Sequence, residues 1–317
     1  MWIYIAKKVL VWIPLLLVAL FIPFMILIEL SPGDPATFPL IGDATPEMIH
    51  EWREFHGPNE PPIMHRYIRY ILGLLEGEFS PVPGRWFRTA HNPPITPTVL
   101  QDLPYTLRLV SISLSASLAL AIPAGAIAAT KKGTRTDTLI KTISLIGTSA
   151  PVFLLGMIAL VMLRPLAVFG LSHRLLVSGF VLGFGMFCTM VLSIRASCLE
   201  VIGQGYIVAA RARGLLNRKI IFKHVLRNAL VPALSAFRDN LGAFFSGVII
   251  VEFFFNRAGI GRLLMQGILS RDYALALACV VMFIFCYVVI HIAVDIAQWA
   301  INPRIRELYV RKTRLTA

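Results

Sequence analysis

The stretch YIVAARARGLLNRKIIFKHVLRNALVP (Tyr206–Pro232) holds Arg211, Arg213, Arg218, Lys219, Lys223 and Arg227, contains no acid, and stands between two strongly apolar runs. It reads as two helices. YIVAARARG is the first. Gly214 suits the position just past a helix end, where positive φ costs glycine little. Asn217 is the expected N-cap of the second helix, RKIIFKHVLRNAL, and Pro232 marks the start of the next apolar run. Its cationic character alone would suit a loop beside anionic lipid. The small residues Ala209, Ala210, Ala212 and Gly214 call for more, because they let another surface come close to the backbone.

The chain around this stretch is apolar. Of its 317 residues 57% are hydrophobic, and the mean hydropathy is +0.74. Soluble domains sit near roughly 45–50% apolar, so a polytopic membrane protein is indicated. A formal net charge of +13 would suggest nucleic acid in a soluble chain; in a membrane chain it marks cytoplasmic loops rich in Lys and Arg. No nucleic-acid role is expected. Cys188, Cys198, Cys279 and Cys286 form no CxxC pair and fall in or at the ends of apolar runs. They read as small apolar fillers, with no metal site.

Six apolar segments emerge, roughly Val9–Leu30, Leu103–Thr130, Leu139–Leu163, Leu175–Ile194, Ala229–Phe253 and Ala274–Ile301. The first comes after Lys7 and Lys8 and could imitate a secretory signal. At about 20 residues it is long enough to cross about 30 Å of hydrocarbon, so it is read as a retained span. With the N-terminus inside, the inner segments hold eighteen Lys and Arg, including Lys131, Lys132, Arg135, Lys141, Arg195 and the six of the opening stretch. The outer segments hold ten, half of them in one long loop. Both termini are thus expected in the cytoplasm. The outer loop, 31–101, carries eight acids and is rich in proline. Within it TPEMIHEWREF reads as a short helix, with Thr45 as N-cap and Pro46 at the first position. IMHRYIRYILGLLEGEF reads as an amphipathic helix with Ile63, Tyr67, Tyr70, Ile71 and Leu74 on one stripe. The expected organisation is a tail and first span (1–30), an extracytoplasmic loop subdomain (31–101), a five-span core (102–303) holding a cytoplasmic loop (199–228), and a basic tail (304–317).

Charge inside a span is costly and marks candidate sites. Arg238, Asp239 and Asn240 could form a polar patch on a solute pathway or brace the bundle near its inner interface; bracing is preferred. His291 and Asp295 lie one helical turn apart and can share a face. They read as a structural pair, since a metal needs more ligands. Arg108 and Glu252 are expected to snorkel to the outer interface. No catalytic constellation is present.

The pattern Tyr206-Ile-x-x-Ala-Arg-Ala-Arg-Gly-Leu, then a basic segment and Arg227-Asn-Ala-Leu-x-Pro, resembles the cytoplasmic "EAA" loop of ABC importer permeases, in the variant of the dipeptide/oligopeptide/nickel family. Further motifs match in order: SPGDPA (Ser31–Ala36), LLEGEF (Leu74–Phe79), LPYTLRL (Leu103–Leu109), SAPVF (Ser149–Phe153), IRASCLEV (Ile194–Val201), AGIGRLLMQGILSRDY (Ala258–Tyr273) and NPRIR (Asn302–Arg306). The likeness covers nearly the whole chain. GDPA and the long outer loop are similar to the B-type subunit. Val208 and Ala209 stand where the family often has Arg-Thr, Gly205 replaces a common Asp, Ala258 and Ala274 replace prolines, and the 164–174 connection is short.

The resemblance implies a type I ABC importer transmembrane fold, all-α with six spans, in a prokaryotic cytoplasmic (inner) membrane. It implies a second homologous permease, two ATPase subunits and an extracytoplasmic binding protein as partners, besides membrane lipid. ATP and Mg would belong to the ATPases; this chain has no phosphate-cradling GxxxxGK[ST] loop and no cofactor is expected in it. Tyr206, Ala209, Ala210, Arg211, Arg213, Gly214 and Leu215 would dock on an ATPase. Peptide is the expected substrate class, with nickel or another metal chelate as alternative. A stand-alone secondary transporter and an intramembrane enzyme are the competing classes.

Overall fold

The computed structural model describes residues 2–29, 62–79, 95–162, 171–270 and 272–301, and among them there is no strand. The helices are α1 (Trp2–Phe24, continued by a π turn Met25–Glu29), α2 (Ile63–Leu75), α3 (Ile95–Thr130), α4 (Arg135–Ser149), α5 (Val152–Met162), α6 (Leu171–Ile202), α7 (Gly205–Ala212), α8 (Asn217–Asp239), α9 (Leu241–Phe254), α10 (Ile260–Leu269) and α11 (Tyr273–Ile301). The chain divides into two compact units, one of 1–106 with 256–286, the other of 107–255 with 287–317.

In the first unit, the stripe expected on α2 forms the core. Tyr67 and Tyr70 are buried with Leu20 and Phe24 of α1 and Leu277 and Val281 of α11, and Ile63, Ile71 and Leu74 pack against them. Phe24 stacks on Tyr70 with centroids 5.5 Å apart, while Phe21 meets Tyr67 edge-on at 5.1 Å. Such aromatic pairs add to simple burial. The Tyr67 hydroxyl donates to the Leu17 carbonyl. α2 ends in a Schellman turn: Gly77 has φ +86°, its N–H reaches the Leu74 carbonyl at 3.1 Å, and the Glu78 N–H reaches that of Gly73 at 2.9 Å. This satisfies carbonyls that a helix end otherwise orphans.

α10 and α11 form a tight hairpin in the same unit. The Asp272 carboxylate accepts the Leu275 N–H at 3.0 Å, capping α11. A Cβ added at Gly267 would lie 3.0 Å from the Ala276 nitrogen and 3.1 Å from the Asp272 oxygen, so the two backbones touch.

In the second unit α6 is the central helix, packed by α4, α5, α8 and α9. Small residues bring the backbones close, as expected where apolar side chains gain little from leaving lipid. The Ser117 hydroxyl of α3 donates to the Gly183 carbonyl of α6 at 2.8 Å. Gly147 of α4 lies against Cys188 and Phe184 of α6. All four cysteines are buried as thiols, as fillers should be.

Several expected boundaries move. The Leu139–Leu163 segment is two helices, α4 and α5, meeting at 104°. Pro151 has no N–H to offer the turn before it, and Ala150, with ψ 124°, takes the extended conformation a pre-proline residue prefers. Pro232 does not open the fifth segment; it lies inside α8, which starts in the basic stretch and includes a π segment, Ile220–Val225. That segment is then interrupted at Asn240. Asn217 is the first residue of α8 and Leu216 (ψ 134°) its N-cap, with no side-chain cap. α6 is longer than its apolar run, extending to Ile202. Among the described residues four helices, α3, α6 (as Leu175–Ile202), α8 and α11 (as Ala274–Ala300), are long and apolar enough to cross a membrane, or five if the α4–α5 pair counts as one. The TPEMIHEWREF helix, SPGDPA, NPRIR and the basic tail lie outside the described residues.

Candidate functional site

α7 is eight residues long. A helix this short is marginal in water, so its neighbours must hold it. Ile207 is fully buried and anchors it from below. The Tyr206 hydroxyl accepts an N–H from the Asn228 side chain of α8 at 2.9 Å, and Asn228 also donates to the His224 carbonyl at 3.0 Å. One end of the Tyr206-to-Asn228 pattern is thus clipped to the other. At the C-terminus, Gly214 has φ +77°. Its N–H bonds the Arg211 carbonyl at 2.9 Å and the Leu215 N–H bonds that of Ala210 at 3.3 Å, a second Schellman turn. A Cβ at Gly214 would meet nothing within 4 Å, so the turn itself, not crowding within the chain, requires glycine there.

The outer face of this hairpin is basic and apolar at once. Arg211, Arg213, Arg218, Lys219 and Lys223 are exposed, as are Ala209 and Ala212, while Ala210 and Leu215 are half-buried. Among them Leu216 is 77% and Phe222 63% exposed.

Beneath it lies an ion pair that sequence reading missed. Arg195, two turns before the end of α6, meets Asp137 in the first turn of α4 with two parallel bonds of 2.6 and 2.8 Å. The same carboxylate accepts the Gly133 N–H at 3.0 Å and is buried. Bidentate, charge-assisted pairing of this kind fixes orientation. The partners stand 58 residues apart, so no local pattern announces them.

Arg238 bridges α8 to α11. Its Nη1 lies 3.1 Å from Oδ1 of buried Asp295, and its Nε 3.3 Å from Asp239. Gln298 donates to the Ser235 hydroxyl at 3.1 Å, one turn along the same seam. Asp295 thus has Arg238, on another helix, as a partner. The His291 ring lies 5.6 Å from that of Tyr287. Glu252, expected to snorkel, is instead fully buried, because α9 packs it against the unit's interior; Arg108 is exposed.

Asn240 parts company with Arg238. It lines a cavity of about 180 Å³ at the α4–α5 elbow, shared with Gly147, Thr148, Gly185, Thr189 and Gly247. Among the described residues no charged side chain lines it.

Two motifs distant in sequence form one cap in the first unit. Thr106, in LPYTLRL, accepts the Ile260 N–H at 2.8 Å, and Asp102 accepts that of Gly259 at 3.3 Å. They satisfy the free donors at the start of α10.

Comparison with known proteins agrees with this architecture. Residues 121–307 match the family of binding-protein-dependent transport system inner membrane components. The oligopeptide transport system permease protein AppB of Bacillus subtilis (strain 168) is 29% identical over 95% of this chain and 98% of its own length. The glutathione transport system permease protein GsiC of Escherichia coli (strain K12) is 31% identical over 96% and 98%, and its counterpart in Shigella boydii serotype 4 (strain Sb227) is 30% identical over the same shares. The chain lies in a membrane as the permease of a transport system, and it is not itself an enzyme. With the family match running from the end of α3 past the end of α11, the chain belongs to the binding-protein-dependent transport system inner membrane components.

Proposed function

We propose that this chain is one of two permease subunits of a peptide importer, with six spans and both termini in the cytoplasm, and that α7 with its closing turn docks on an ATPase subunit. The observation that carries the reading is the hairpin of α7 and α8. A short helix is held rigidly by Ile207 and the Tyr206–Asn228 bond, sealed by Gly214, and presents Leu216 and Phe222 among five cations. Apolar side chains this exposed beside fixed charge suit a protein partner with an acidic, partly apolar groove.

Movement of the partner would pass into the spans as rigid-body displacement. The route through this chain runs from α7 into α6, to which it is joined by Gly203 and Gln204, and through the Arg195–Asp137 pair into α4 and its elbow. Arg238 and Asp295 brace α8 against α11. A second permease, two ATPases carrying ATP and Mg, and an external binding protein complete the assembly. Peptide is preferred over a metal chelate because the relatives' names specify oligopeptide and glutathione, both peptide in chemistry.

The test is purification of the tagged chain in mild detergent from its own host. The expected result is a second permease and ATPase subunits in the same complex, with ATP-driven uptake of labelled peptide once the binding protein is supplied. A chain that purifies alone and moves solute in ATP-free vesicles would overturn the reading.

A further inference from the structure

We propose that the cavity at the α4–α5 elbow receives the free α-ammonium end of a peptide, held by uncharged oxygen acceptors. This rests on the reading of the chain as a peptide permease. The cavity's polar side chains have largely committed their donors. Thr148 donates its hydroxyl proton to the Leu145 carbonyl at 3.0 Å, Thr189 donates to that of Gly185 at 3.0 Å, and Asn240 donates to that of Ala236 at 2.7 Å. A hydroxyl has one proton and two lone pairs, so both threonines face an occupant as acceptors. Asn240 keeps its carbonyl oxygen and one N–H. Pro151 withholds the N–H that would pair with the Gly147 carbonyl in a continuous helix, and the end of α4 brings the negative pole of its dipole to the same place. A site rich in acceptors, with no charged side chain among its described lining residues, favours a compact cation with several donors, and an ammonium has three.

Size points the same way. At about 180 Å³ the cavity falls below the roughly 300–1,000 Å³ of sites that enclose a drug-sized ligand. It fits one terminal residue of a peptide and leaves the remainder outside.

Gly185 supplies an independent observation. It lies within α6, where glycine costs about 1 kcal/mol relative to alanine. Its neighbours in the cavity wall have a packing reason to be glycine: a Cβ at Gly147 would strike Cys188 and Phe184, and one at Gly247 would press on Leu182 at 3.1 Å. A Cβ at Gly185 would meet nothing within 4 Å. Packing within the chain does not exclude a side chain there; its absence leaves the cavity open.

The experiment uses the complete importer, purified with its own partner subunits and held in nanodiscs without binding protein. The probes are radiolabelled trialanine and N-acetyl-trialanine. The expected result is at least tenfold tighter binding of trialanine than of the blocked peptide. G185L should keep its partner subunits and lose trialanine binding at least tenfold. T189V preserves shape while deleting one acceptor, so it should weaken trialanine about threefold to tenfold and leave the blocked peptide unchanged; it decides the matter if G185L fails to assemble. Equal binding of the two peptides, no binding of either, G185L behaving as wild type, or saturable sodium binding in place of peptide would each overturn the assignment. ATP-driven trialanine uptake by wild-type proteoliposomes with binding protein tests the peptide reading separately. Uptake without ammonium discrimination removes the cavity assignment alone, whereas import of no peptide removes both.

Discussion

Two turns in this chain share one backbone solution and differ in the fate of the large side chain two residues on. α2 and α7 both end in Schellman turns, with Gly77 at φ +86° and Gly214 at φ +77°, and added Cβ atoms at both would meet open space. Two residues beyond each glycine stands a large apolar side chain. Phe79 folds back onto the aromatic core of its unit, and its N–H reaches the Thr96 hydroxyl at 3.2 Å. Leu216 is left 77% exposed. One turn completes its own unit, while the other ends on a side chain that its own unit leaves uncovered. Similar local sequences, LLEGEF and ARARGLL, therefore serve different ends, and the distinction lies in burial.

The largest expected effect breaks the pairing most clearly. Phe79→Ala should cost about 3 kcal/mol of stability, the low end of the range for truncating an aromatic side chain packed on a core. Leu216→Ala should stay within about 0.5 kcal/mol, as surface changes do, yet reduce recovery of ATPase subunits about tenfold. Equal shifts in thermal unfolding for the two variants would dissolve the comparison.

Next come the glycines. Gly77→Ala and Gly214→Ala should each cost about 1–2 kcal/mol, the penalty of a side chain in the left-handed region. Of the two, Gly214→Ala should lower transport per ATP hydrolysed, and measuring both quantities on each variant tests it.

Tyr206→Phe should remove about 0.5–1.5 kcal/mol, the net value of a hydrogen bond, and do so locally. Amide exchange in α7 should quicken while that in α2 stays unchanged.

The smallest effect is a pH dependence in the first unit. Burial pushes the Asp272 carboxyl above its ordinary 3.8, partly offset by the Leu275 N–H it accepts. A raised folded-state pKa means the folded form binds the proton more readily. Stability from this group therefore rises as pH falls through that raised value toward 3.8, and levels off below it. Unfolding midpoints of wild type and Asp272→Asn across mildly acidic pH should show the slope in wild type alone.

What could be read from the sequence was local. Period 3.6 in IMHRYIRYILGLL marked the stripe that became a core, and a glycine after a basic helix marked the turn at 214. What could not be read was pairing at long range: Arg195 with Asp137, Thr106 with Ile260, Ser235 with Gln298, each joining helices whose spacing only the fold decides. Proline was a poor guide. Pro232 looked like a boundary and lies within a helix, whereas Pro151 stands inside a segment expected to be one span and breaks it. Asn240 was legible as a site candidate, but its separation from Arg238 was not, since side chains two residues apart on a helix face different ways.

The elbow at Ala150–Pro151 also constrains how the protein is made. α4 has 15 residues and α5 has 11 among the described residues, so at about 1.5 Å per residue these reach about 22 and about 16 Å. Neither alone matches the roughly 30 Å of a bilayer core. Together the two arms are long and apolar enough to cross a membrane, so as the chain leaves the ribosome this segment has to be handed to lipid as one bent pair and not as two successive spans.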